Sequence, residues 1–184
     1  MTLPISEYPY RYPESTVIVV GKGPSIVDSD HYDACPCISC NEAVYYTGRG
    51  IFTRFDTEPP GDFGFCANLP DGVDAIIPSH LQGLYYPAWY FEPEDLLLKQ
   101  PAPTVVQAVC IANYLGASEI VMCGFDALEY NDFSYYGRVS NPRNRNWKTD
   151  QKPQFRYLVP PAILAKCRFH SGTTLLSALY KRQK

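Results

Sequence analysis

A parallel β-sheet flanked by helices is the fold class this sequence predicts, and three observations predict it. Thr16–Val20 (TVIVV) and Glu119–Cys123 (EIVMC) are short apolar runs rich in β-branched residues, each stopped by a glycine, as fully buried parallel strands are. Val105, Ala108, Val109, Ala112 and Leu115 recur at helical spacing and lead straight into the second run. Weaker strand-like runs separated by turn residues occupy the stretch between them.

Taken in order, Thr16–Val20 is the first strand, followed by the turn Gly21-Lys22-Gly23-Pro24-Ser25 and a short helical stretch over 26–32. Residues 38–41 (ISCN) predict a second brief strand, with 42–46 leading away from it. Residues 51–55 (IFTRF) predict a third, ended by Asp56-Thr57-Glu58 and the helix-stopping pair Pro59-Pro60. Residues 74–77 predict a fourth strand, and 78–100, rich in aromatics and prolines, reads as mostly irregular. Thr104 is placed to N-cap the periodic helix and Gly116 to stop it. After the strand 119–123 and Gly124-Phe125-Asp126, the stretch 127–169 is expected to form a lid. Ser171-Gly172-Thr173-Thr174 then opens a last helix to Tyr180. Strands alternating with helices give right-handed crossovers and a Rossmann-like sheet, whose ligands bind beyond the carboxyl ends of the strands. The glycine turn, Asn41, Asp56 and Gly124-Phe125-Asp126 all fall at such ends and are expected to share one crevice.

With 184 residues, 46% of them hydrophobic, the chain has material for one core, and residues 1–184 read as a single domain. Its longest uncharged apolar runs, such as 16–20 and 105–112, fall short of the roughly 20 residues a membrane span needs. Residues 1–13 carry tyrosines and prolines in place of a basic patch and an apolar stretch, so no secretory signal is expected and a cytoplasmic protein follows. The seven cysteines are an odd number, expected as free thiols. The net charge of −3 is unevenly spread: from Arg138 to Arg156 six basic residues face one Asp, a local +5.

The chemistry-bearing residues each have a plain structural alternative. The turn GKGPS lets backbone N–H groups approach an anion, yet it lacks the third glycine of the dinucleotide fingerprint and the Lys-Ser/Thr of a P-loop. Cys35, Cys37 and Cys40 lack the paired spacing of a zinc site, so a core role is expected and no metal is assigned. Asp56 and Glu58 have the chemistry to hold magnesium with a diphosphate, or simply form a solvated turn. His31 and His80 read as surface or structural residues.

Together, GKGPSIVDSDHY (21–32), SCNEAVYY (39–46), TVVQAVCIANYLGASEIVMCGFDA (104–127), EYNDFSYY (129–136) and, more loosely, FHSGTTLLSAL (169–179) resemble the bacterial lipooligosaccharide sialyltransferases. That is a small Rossmann-like family that uses a CMP-activated sugar and no metal. The stretches occur in the family's order and cover somewhat under half of the chain. The resemblance implies that Gly21, Gly23, Pro24 and Ser25 form the nucleotide-binding turn, that Asn41 contacts the nucleoside phosphate or ribose and that Thr104 stands near the donor sugar; Lys22 in the turn and Gly124 and Asp126 at the neighbouring strand end are expected in the same nucleotide site. The resemblance also implies His170 as general base, with Tyr130 and Tyr136 hydrogen-bonding the departing phosphate. Lys22 stands where the family has an asparagine and suits an additional phosphate. Asp56, Glu58, Arg143 and Arg145 are expected toward the donor sugar or the acceptor. No family tail is expected after the last helix.

The function expected from this reading is a metal-independent glycosyltransferase, with a nucleotide sugar as co-substrate and its donor sugar left open. The acceptor hydroxyl belongs to a glycan or, as a second class, to a modified nucleobase in DNA, gripped by arginines interleaved with Tyr135, Trp147 and Phe155. Homo-oligomerisation is compatible with it. The alternatives are a magnesium-dependent phosphoryl or pyrophosphoryl transferase using Asp56, Glu58 and Asp126, and a nucleotide-binding module without turnover.

Overall fold

In a computed structural model, residues 2–21, 23–55, 69–83, 87–125 and 155–170 are described. Among them eight strands form one sheet, all parallel: β1 (Thr2–Pro4), β2 (Thr16–Val20), β3 (Cys37–Cys40), β4 (Ile51–Thr53), β5 (Asp74–Pro78), β6 (Ala88–Phe91), β7 (Glu119–Cys123) and β8 (Cys167–Phe169). Their spatial order is β1-β6-β5-β4-β3-β2-β7-β8. The chain therefore steps outward from β2 through β3, β4, β5 and β6, then returns through α2 (Thr104–Tyr114) to add β7 on the other side of β2. This makes a Rossmann-like α/β fold with its reversal of strand order between β2 and β7.

The period-two alternation of strands explains the two layers. Ile120 and Met122 of β7 face the core shared with α2, while Val121 and Cys123 face the opposite core with Ile18 and Val20 of β2. Helix α2 is buried over most of its circumference, from Thr104 to Ala112, which explains why its sequence is apolar at nearly every position. Burying each such Val or Ile contributes about 1.5–3 kcal/mol. Helix α1 (Ala43–Thr47) and a 3-10 helix over Pro24–Tyr32 cover the other face of the central strands.

Several sequence expectations shift. The aromatic stretch 78–100 contains β6, which pairs with both β1 and β5; alternate residues supply its two faces, Ala88 and Tyr90 to one core and Trp89 and Phe91 to the other. Thr104 is not the N-cap of α2. Pro103 holds that position, extended at φ −52° and ψ 151°, with its carbonyl accepting from Val106 and Gln107. Gly116, left-handed at φ 101°, ends the helix as expected. From residue 155 onward the expected lid belongs to the body. Phe155, Val159, Ile163 and Cys167 recur every fourth residue and are all buried against the α2 core, 155–158 and α3 (Pro161–Leu164) are helical, and β8 pairs with β7. Phe155 packs edge-on to Phe169 at 6.4 Å, so it is not available to stack on a base. The rest of that expected lid, 127–154, and the last helix from Ser171 lie outside the described residues.

Among the described residues, no helix is long and apolar enough to cross a membrane. Cys35, Cys37, Cys40, Cys110, Cys123 and Cys167 are free thiols. Cys37 and Cys40 belong to opposite cores, so one ion cannot reach both, and burial pushes the thiols of Cys110, Cys123 and Cys167 up to about 12.

Candidate functional site

Because every strand is parallel, the residues that follow them gather on one edge: Gly21, Asn41, Arg54, Gly124 and His170. Open α/β sheets bind ligands on this edge, where the strand order reverses, which here is the junction of β2 and β7. That junction is tight. Gly21 donates from its N–H to Cys123 O at 2.8 Å and Gly23 to Gly124 O at 2.7 Å. A Cβ on Gly21 would stand 2.5 Å from Gly124 O and 2.9 Å from the Phe125 ring. Of the two roles open to this turn, meeting an anion or simply joining strand to helix, the N–H groups of Gly21 and Gly23 serve the second, bonded to the exit of β7. What forbids a side chain at Gly21 is the neighbouring strand exit.

From this junction the 3-10 helix Pro24–Tyr32 carries Asp28, His31 and Tyr32 toward the end of β8. His170 is anchored there by its backbone N–H on Met122 O, 3.0 Å. Its Nδ1 lies 3.2 Å from the Tyr32 hydroxyl and its Nε2 3.7 Å from Asp28 Oδ2. The His31 ring stacks on the imidazole at 5.9 Å. Arg168, two residues earlier and so on the same face of β8, donates to the Tyr32 hydroxyl at 3.2 Å. The His170 side chain remains 19% exposed, with Nδ1 in contact with Tyr32 and Nε2 facing Asp28. Sequence reasoning picked out His170 but missed Asp28 and Tyr32, which lie inside the quoted stretch GKGPSIVDSDHY; their spacing of four residues on one short helix was the available signal.

Arg168 also binds Glu119 through both carboxylate oxygens, and Thr16 Oγ1 donates to the same carboxylate at 2.9 Å. The Arg168 hydrogen bond, ahead of the one from Thr16, holds the Glu119 carboxyl below its usual range. A depressed carboxylate stabilises the fold above its unfolded value, and this is lost as the pH falls through the folded one. The pair is 45% and 38% exposed, so Glu119→Gln is expected to cost under about 1 kcal/mol at pH 7. Urea denaturation at neutral pH and again below the depressed value checks this: the difference from the parent chain shrinks in acid.

On the other face of the sheet, the N-terminus of α2 approaches the same edge. Thr104 Oγ1 accepts from the Phe55 N–H at 3.1 Å, tying the helix to the exit of β4. Among the described residues the N–H groups of Thr104 and Val105 meet no acceptor, as first-turn N–H groups do when nothing caps them. Thr53 Oγ1 and Gln107 Oε1 are buried there without partners, and Arg54 is buried. Asn41 is left-handed at φ 53°, with its N–H on Thr53 O at 3.0 Å, a conformation that asparagine tolerates better than most residues. Uncapped N–H groups on a carboxyl edge are chemistry for an anion.

His80 bonds Phe55 O at 3.1 Å through Nε2, a structural role as expected, whereas His31 belongs to the His170 cluster. Lys22, Asp56, Glu58, Asp126, Tyr130, Tyr136, Arg143 and Arg145 lie outside the described residues.

Fold and site together define a Rossmann-like α/β protein with Asp28, Tyr32, Arg168 and His170 clustered at the end of β8, one strand from the strand-order reversal. Compared with known proteins, the chain matches no family model, no curated protein and no solved structure. The likeness to lipooligosaccharide sialyltransferases thus rests on the quoted motifs alone.

Proposed function

We propose that the protein is a glycosyltransferase that moves a sugar from a nucleotide-sugar donor to a hydroxyl acceptor without a metal ion, with His170 as general base. The observation that carries this is the His170 imidazole, partly exposed at the carboxyl edge, with Tyr32 at one nitrogen and Asp28 facing the other. A neutral imidazole near physiological pH accepts a hydroxyl proton readily. The first turn of α2, whose N–H groups meet no acceptor among the described residues, supports the binding of an anionic donor on that edge. Lys22, Pro24 and Ser25 of the turn, and Asp126 after β7, fit the same nucleotide role by sequence. Tyr130 and Tyr136 fit the leaving group, with Asp56, Glu58, Arg143 and Arg145 toward the sugar or acceptor. The acceptor is a glycan hydroxyl or, as a second class, a hydroxyl on a DNA base.

The test is thermal unfolding with CMP, UDP, GDP, ADP and their sugar conjugates, with magnesium and with EDTA. A ligand at 100 times its Kd adds about 2.7 kcal/mol to the native state, or roughly 5–10 °C for a chain of this size. Stabilisation that persists in EDTA is the expected result. Stabilisation only with magnesium would favour phosphoryl transfer, and no shift from any of these compounds would remove the nucleotide site.

A further inference from the structure

Arg168 and Asp28 together set the direction of the hydrogen bonds around His170. Arg168 has donors and no acceptor, so the Tyr32 oxygen accepts from it at 3.2 Å. The Tyr32 hydroxyl proton then has His170 Nδ1, 3.2 Å away, as its acceptor. The Asp28 carboxylate, 3.7 Å from Nε2, favours the ring proton on that nitrogen, which leaves Nδ1 unprotonated to accept from Tyr32. Nδ1 is thereby taken up by the phenol and Nε2 carries the ring proton, whereas the phenol oxygen keeps one lone pair unused by these bonds.

We propose that Tyr32 is a catalytic residue in its own right: its hydroxyl takes the acceptor's proton and passes its own to His170. This rests on the transfer reading and deepens it. As the acceptor oxygen forms its bond to the anomeric carbon, its proton moves to Tyr32 Oη and the phenol proton moves to His170 Nδ1. The bond from the anomeric carbon to the nucleotide breaks, and its electron pair leaves with the phosphate. The imidazolium so formed is matched by Asp28, a positioning residue, while Arg168 fixes the phenol.

Two measurements test this. Proton–nitrogen correlation spectra of histidine-labelled protein, assigned with His31→Gln and His80→Gln, are expected to show neutral His170 protonated at Nε2; protonation at Nδ1 overturns the relay whether or not turnover is seen. In Tyr32→Phe the ring keeps its place over Arg168 and beside His170, at 5.7 Å from each. Its consumption of CMP-, UDP-, GDP- or ADP-sugar is expected to fall about 100-fold, with affinity for the parent nucleotide unchanged. Full turnover in Tyr32→Phe beside an inactive His170→Ala overturns the relay alone, and a native protein that consumes no conjugate overturns the transfer reading beneath it.

Discussion

Gly124→Ala is expected to lower the Tm by roughly 6–12 °C, the equivalent of about 3 kcal/mol in a chain of this size. Two costs combine. Gly124 is left-handed at φ 72°, which costs an L-residue about 1–2 kcal/mol. The new methyl would also fall on the carbonyl of Gly21, and overpacking of this kind costs about 1–3 kcal/mol. Gly72 separates the two: its φ is 79°, yet a Cβ there meets nothing within 4 Å. Gly72→Ala should therefore lose only the conformational part. Equal Tm losses in the two variants would mean that the β2 and β7 exits are not packed as tightly as their hydrogen bonds require. Because those exits form the strand-order reversal, a loosened junction in Gly124→Ala should also weaken nucleotide binding, whereas Gly72→Ala should not.

This junction was legible in the sequence because glycines mark it twice, at Gly21 and Gly124, each directly after a buried strand. The parallel sheet and α2 were legible for the same kind of reason: uninterrupted apolar runs, and an apolar pattern of one period, need no partner to be recognised. What escaped were elements of three or four residues whose identity is conferred by neighbours. β1, β6 and β8 are TLP, AWYF and CRF, too short to display alternation, and each is a strand because an adjacent strand supplies its hydrogen bonds. The site divides similarly. His170 was visible through resemblance, but its contact with Tyr32 spans 138 residues of sequence, a separation that local pattern cannot bridge. Residues 155–169 belong to the body because Phe155, Val159 and Ile163 recur every fourth residue and are buried, a pattern of three positions that is faint beside the basic run around Arg143 and Arg145.

His170→Ala is expected to abolish measurable transfer, a loss of about 100- to 10,000-fold for removal of a general base, with nucleotide affinity unchanged. The change should leave the fold nearly intact. The residue's structural bond is its backbone N–H to Met122 O, which alanine retains, and Asp28, 24% exposed, can recover water when the imidazole is removed. A Tm within a few degrees of the parent, measured beside the rate, would separate lost chemistry from lost structure. Combining the change with Tyr32→Phe sharpens the result. Groups that act as one unit give non-additive losses, so the double variant should be no slower than His170→Ala alone. If the two losses multiply instead, Tyr32 and His170 serve the reaction separately, and the imidazole takes the acceptor's proton without the phenol. Unchanged turnover in the single variant would show that the base lies elsewhere, and the cluster of Asp28, Tyr32, Arg168 and His170 would then serve to bind the end of β8 to the 3-10 helix Pro24–Tyr32.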